Sequence, residues 1–191
     1  MLYMTRFPQA VANRHEREHA AGERLLQYAL LEEYGIAELP RISRGENGKP
    51  YFSEYRNIHF NISHSGNMAV CALGGTELGV DIERLRPVRE GLIRRVLTVR
   101  EREWLMGRPD KEEAFIRLWT LKESYVKATG EGLRLDFNEV EFVLPQAQGD
   151  IQCSREGFYF WQQKIGREVC LSLCTRYHPV PEIMKKLHIV F

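Results

Sequence analysis

Trp119-Thr120-Leu121-Lys122-Glu123-Ser124-Tyr125-Val126-Lys127 spaces its apolar residues as a helix does. At about 3.6 residues per turn, Leu118, Leu121, Tyr125 and Ala128 share one face, and Trp119, Glu123 and Lys127 share the opposite one. The spacing predicts a helix from Glu112 to Thr129 that lays one side on a core. A carboxylate and an ammonium then stand one turn apart beside a tryptophan. About forty residues upstream, Gly79-Val80-Asp81-Ile82-Glu83 alternates in the manner of a strand. Asp81 and Glu83 point to one face, Val80 and Ile82 to the other.

Working outward, Asn13 to about Tyr34 reads as a helix with an apolar stripe of Ala21, Leu25, Tyr28 and Ala29, closed by Gly35. A polar loop, Arg44-Gly45-Glu46-Asn47-Gly48-Lys49-Pro50, follows. Strands are expected at Ile58 to Ile62, Met68 to Leu73 and Leu78 to Glu83, joined as an antiparallel meander by Ser65-Gly66-Asn67 and Gly74-Gly75. The order then repeats. Helical pattern runs from Thr98 to Leu105 and from Glu112 to Thr129. Strands are expected at Glu139 to Leu144, Gly157 to Lys164 and Glu168 to Thr175, the last two as a hairpin through Ile165-Gly166-Arg167. This predicts an α+β fold of two similar halves in pseudo-two-fold arrangement, each a long helix on a small antiparallel three-stranded sheet. The halves are residues 1–86 and 87–191, divided near Pro87. A cleft between halves is where pockets favour forming.

The bulk numbers exclude some classes. The chain has 191 residues and a net charge of +1, so bulk charge supports neither a nucleic-acid nor a membrane-surface role. No apolar run is long enough for a transmembrane helix, and the N-terminus has no signal-peptide pattern. Cys71, Cys153, Cys170 and Cys174 lack zinc spacing. Cys170 and Cys174 fall on one face of a strand, too far apart to bond. The expectation is a reduced, cytoplasmic protein with small buried thiols.

Each candidate site residue has a plain reading as well. Two strand carboxylates repel each other, and a divalent cation is one reason to place them together; a solvent-facing strand edge is the other. Glu123 and Lys127 alone make a routine surface pair worth roughly 0.3–0.5 kcal/mol, though Trp119 beside them calls for cover. His59-Phe60-Asn61-Ile62-Ser63-His64-Ser65-Gly66 ends a strand with His64 and Ser65, which can hold phosphate oxygens. No strained strand–Ser–helix elbow surrounds the pair, so it does not signal a hydrolase triad. Gly48-Lys49-Pro50 lacks P-loop spacing, yet Lys49 can meet a phosphate as a point charge. Arg14 and Arg17 are further candidates at the start of the first helix.

Gly48-Lys49-Pro50, Phe60-Asn61-Ile62-Ser63-His64-Ser65, Gly79-Val80-Asp81-Ile82-Glu83 and Trp119 to Lys127, in this order, resemble the 4′-phosphopantetheinyl transferases. The match is to the larger, surfactin-synthetase-activating type, a monomer of two similar halves, and it covers residues 45 to 135. The resemblance implies transfer of the phosphopantetheine arm of coenzyme A to a serine of an apo-carrier protein, releasing adenosine 3′,5′-bisphosphate. It implies that Asp81, Glu83 and Glu123 bind Mg2+. It implies that Gly48, Lys49, Pro50, Ser63, His64 and Lys127 hold coenzyme A, with Arg14 a candidate N-terminal contact. Glu123, Lys127 and His64 are the implied catalytic residues, Glu123 leading as the base. A basic strip of Arg94, Arg95, Arg100 and Arg102 with Leu92 and Val96 is a candidate carrier surface, or else a solvated helical face. Two other readings use the same residues: a non-catalytic module that binds coenzyme A or a carrier protein, and a magnesium-dependent pyrophosphate hydrolase. The tail from Pro179 to Phe191 carries no functional reading.

Overall fold

The computed structural model describes residues 1–8, 14–145, 150–177 and 187–190. Along the chain come β1 (Leu2–Arg6), α1 (Arg14–Tyr34), β2 (Ile42–Arg44), β3 (Pro50–Phe52), β4 (His59–Ser65), β5 (Met68–Gly74) and β6 (Leu78–Arg84). There follow α2 (Glu90–Val96), α3 (Val99–Met106) and α4 (Lys111–Thr129), then short 3-10 turns at Gly132–Arg134 and Phe137–Glu139. The last strands are β7 (Phe142–Val143), β8 (Gln152–Cys153), β9 (Tyr159–Ile165), β10 (Val169–Thr175) and β11 (Leu187–Val190). The fold is α+β, as the alternating helix and strand patterns predict.

Two sheets lie face to face between two long helices. The first has the order β11-β1-β5-β4, the second β6-β10-β9. Strand alternation builds the layers. On β5, Ala69, Cys71 and Leu73 face α1, where they meet Leu25, Leu26, Ala29 and Leu30. Met68, Val70 and Ala72 face the other way, onto Val80, Ile82, Leu171 and Leu173 of the second sheet. The far side of that sheet, with Cys170 and Cys174, receives α4 through Leu118, Leu121, Tyr125 and Ala128. Those are the four residues the helical spacing places together. Burying each large side chain contributes roughly 1.5–3 kcal/mol, so α4 is held by its apolar face and not by its modest intrinsic propensity.

The predicted meander over β4, β5 and β6 is not formed. β4 and β5 pair antiparallel, but β6 pairs with β10 in the second sheet. So the last strand of the first half completes the sheet of the second. The first sheet is filled by β1, which runs antiparallel to β5 and parallel to β11. In the second half, Glu139 to Leu144 supplies only the two-residue β7, paired with β8 apart from the main sheet. The hairpin of β9 and β10 stands, with Gly166 at φ 61°. The loop from Arg44 to Pro50 is the tip of a hairpin, β2 with β3.

The stripe on α1 is also shifted. Leu26 and Leu30 are buried, whereas Tyr28 is exposed and rests edge-on against Tyr3. Gly35, at φ 67°, closes α1 with its N–H donating to Leu31 O.

Candidate active site

The site begins with a glycine. An added Cβ at Gly79 would lie 2.1 Å from Ser124 O and 2.4 Å from Ala128 N, so only glycine lets α4 lie this close on β6. That approach sets Glu123 and Lys127 over the face of β6 that carries Asp81 and Glu83. Lys127 Nζ stands 2.6 Å from Asp81 Oδ1. Ser63 Oγ donates to the same oxygen at 2.9 Å and accepts from Lys127 Nζ at 3.0 Å. Ser65 Oγ donates to Glu83 Oε2 at 3.0 Å.

The seam between the two sheets is made of side chains. β4 and β6 are neighbouring edge strands without a backbone ladder between them. Instead, Asn61 Oδ1 accepts from Val80 N at 2.9 Å, Ser63 Oγ from Ile82 N at 3.4 Å, and Ser65 Oγ from Arg84 N at 3.1 Å. Residues at period two on β4 thus satisfy N–H groups at period two on β6. Phe60 and Ile62, on the alternate positions of β4, pack toward α1.

The electrostatics are those of crowded carboxylates. Burial, then the charge of Asp81, push Glu123 up to about 7, with Glu83 adding to the rise and Lys127 opposing it. Burial and Asp81 also raise Glu83, against Ser65, Arg86 and Lys127. Asp81 Oδ2 is buried and has no hydrogen-bond partner among the described residues. A buried carboxylate oxygen left unpaired is costly, and a hard cation would satisfy it. Among the described residues no group of three or more carboxylate, imidazole or thiolate side chains is gathered closely enough to enclose a metal. Magnesium does not need such a cage, because it keeps waters and takes one or two carboxylates together with substrate phosphates. The donor set therefore fits Mg2+.

A cleft of about 290 Å³ opens beside this group, lined by Gly48, Lys49, Pro50, Glu123, Lys127 and Phe137 among others. It brings the loop motif and the helix motif together. Lys49 turns its ammonium to the end of α4, donating to Ala128 O, with Leu78 O at 3.4 Å; burial lowers its pKa. The cation sits well at a helix C-terminus.

His64 is not among the residues lining this cleft. It is exposed, with Nδ1 3.4 Å from Glu18 Oε2 of α1. Strand alternation sends it to the side of β4 opposite Ser63. Arg14 opens α1, but its side chain lies outside the described residues. Arg17 is exposed. Of the basic strip, Arg94 pairs with Glu90 and Arg100 with Glu141, both at the surface. Val96 does not belong to it, being in the core.

Sequence reasoning passed over Lys122. It is fully buried and paired with Glu101 at 2.8 Å. Its Nζ also donates to Phe137 O at 2.8 Å and to Val140 O. Glu101 in turn accepts from Thr98 N and Phe142 N. The pair ties α3, α4 and the segment that carries Phe137, whose ring stacks on Trp119 at 5.7 Å. The signal was available: Lys122 falls between Leu118 and Tyr125 on the buried face.

Comparison with known proteins decides the family. The model of the 4′-phosphopantetheinyl transferase superfamily matches residues 77–174. The chain belongs to this superfamily. The match runs from the approach to β6 into β10, so it takes in Asp81, Glu83, Glu123 and Lys127 and excludes Lys49, Ser63 and His64. A 4′-phosphopantetheinyl transferase of Bacillus subtilis is 38% identical over 127 residues, 64% of this chain and 56% of that protein. The 4′-phosphopantetheinyl transferase Sfp of Bacillus subtilis strain 168 is 31% identical over 74% of this chain and 66% of its own length. The transferase gsp of Aneurinibacillus migulanus is 30% identical over 85% of this chain and 70% of its own. The chain thus spans just over half the length of the first of these relatives.

Proposed function

We propose that the protein transfers the 4′-phosphopantetheine arm of coenzyme A to a serine of an apo-carrier protein of the fatty-acid, polyketide or non-ribosomal peptide type, with magnesium, releasing adenosine 3′,5′-bisphosphate. The observation that carries this reading is the unpartnered Asp81 Oδ2 beside Glu83, Glu123 and Lys127, at the edge of a cleft walled by Gly48-Lys49-Pro50. Asp81, Glu83 and Glu123 are the carboxylates that would hold Mg2+, one or two of them directly, with substrate phosphate oxygens and water completing its shell. Magnesium, when bound, would draw charge from the pyrophosphate and align it for displacement.

The remaining roles fall to side chains. The carrier serine Oγ bonds to the phosphorus nearest the pantetheine, and the bond from that phosphorus to the bridging oxygen breaks. The electron pair leaves with the bisphosphate, and the serine proton passes to ionised Glu123. Bound magnesium would favour the ionised form of Glu123 and weaken it as a base, so its role as cation ligand stands ahead of its role as proton acceptor, taken directly or through water. Lys127 offsets the charge that grows on the departing oxygen. Ser63 and Lys127 keep Asp81 in place, Lys49 would meet the coenzyme in the cleft, His64 would meet it outside the cleft, and Arg14 is a further candidate contact. Arg94, Arg95, Arg100 and Arg102 offer a basic surface to an acidic carrier. All these residues come from one chain, which suits a monomer. Among the described residues no helix is long and apolar enough to cross a membrane, and the four cysteines are free thiols, which suits a reducing cytoplasm.

The test is the intact mass of an apo-carrier protein incubated with this protein, coenzyme A and Mg2+. The expected result is a gain of one phosphopantetheine arm that chelator abolishes. Coenzyme A binding with no gain on any carrier type would instead favour a non-catalytic module.

A further inference from the structure

The side-chain seam does more than join two sheets. Ser65 Oγ holds one position in two bonds at once: it accepts from Arg84 N at 3.1 Å and donates to Glu83 Oε2 at 3.0 Å. A serine hydroxyl has a single proton to give, and here it is given to the carboxylate. The backbone N–H of β6 therefore fixes the hydroxyl, and the hydroxyl fixes the carboxylate of the residue before Arg84. The hydroxyl itself is set by the turn. Ser65 pairs with Met68 across Gly66, which lies at φ 64°. A Cβ on Gly66 would come within 2.9 Å of Arg84 Cδ, so the arginine lies against the turn.

Ser63 makes the matching contact to Asp81, but there Lys127 also grips the carboxylate. Among the described residues Glu83 has no such second grip: Arg86 and Lys127 act on it only through charge. Its aim rests on Ser65. We propose that Ser65 is a positioning residue, which points Glu83 at the divalent cation without touching cation or substrate. The proposal rests on the reading of Asp81, Glu83 and Glu123 as cation ligands. Outer partners of this kind typically set metal affinity by about 10–100-fold.

The experiment compares Ser65→Thr with Ser65→Val, which differ in the hydroxyl and hardly in shape, alongside Ser65→Ala. Mn2+ binding to the whole chain is titrated by electron paramagnetic resonance with coenzyme A present, and melting temperature is recorded in parallel. The expected result is an Mn2+ affinity about 10-fold weaker in Ser65→Val and Ser65→Ala, and close to wild type in Ser65→Thr. Transfer by Ser65→Val at saturating metal should recover most of kcat, with the loss confined to the metal concentration required. Equal Mn2+ affinity in the Thr and Val variants, whatever their melting temperatures, would reduce Ser65 to a seam residue and overturn the proposal. Absence of Mn2+ binding in the wild type would overturn the reading of the carboxylates themselves.

Discussion

Two lysines on α4, Lys122 and Lys127, each face a carboxylate, and the two pairs are used in opposite ways. Lys122 is buried with Glu101, and every donor and acceptor around them is matched. Lys127 meets Asp81 at 2.6 Å with about a quarter of its side chain exposed, and Asp81 keeps one buried oxygen unmatched. A satisfied ion pair anchors structure and leaves nothing to bind a ligand. An incomplete pair at a cleft edge holds free charge where a substrate can reach it. Lys122 and Lys127 differ little in residue chemistry; completeness of the surroundings separates anchor from site.

Breaking the anchor should cost most. Lys122→Met alone strands the Glu101 carboxylate in the core, and urea unfolding should show a loss of about 3–5 kcal/mol. Adding Glu101→Leu should restore most of that, since a buried pair is often replaceable by apolar side chains. A single variant as stable as the wild type would erase the contrast. Breaking the site should spare the fold and cost activity. Asp81→Asn leaves Lys127 able to reach water, so melting temperature should hold while transfer falls at least about 100-fold. Near-normal transfer would remove Asp81 from the site.

The smallest effect sharpens the comparison through pH. Glu123 lies at about 7 in the folded chain against an ordinary 4.5. Between those values the metal-free native state holds a proton that the unfolded chain has released. Stability from this group is therefore present below pH 4.5 and lost as pH rises through 7. Melting temperature of the chelated protein should fall between pH 6 and pH 8 by a few degrees, from roughly 1 kcal/mol. Glu123→Gln should flatten that slope, and an unchanged slope would assign it to other groups.

Much of this was legible in the chain. Helical spacing placed Leu118, Leu121, Tyr125 and Ala128 on a core, and strand alternation turned Asp81 away from Val80 and Ile82. Both periods are properties of the backbone and need no knowledge of what packs against it. The ordered blocks pointed to the family for the same reason, since a site must present its residues at fixed positions on such elements. Sheet membership was not legible. β6 looks like the third strand of a meander, but the hydrogen bonds its neighbour would have supplied come from Asn61, Ser63 and Ser65. Which edge a strand joins depends on partners far away in sequence.

The chain by itself determined the long helices, the strands β4, β5, β6, β9 and β10, the faces they present and most of the residues offered to the cleft. Only the tertiary structure decided that Lys122 is an anchor, that β6 joins the second sheet, and that Glu123 is pushed up toward neutrality. Those outcomes depend on burial and on distances between charges, which no single segment contains.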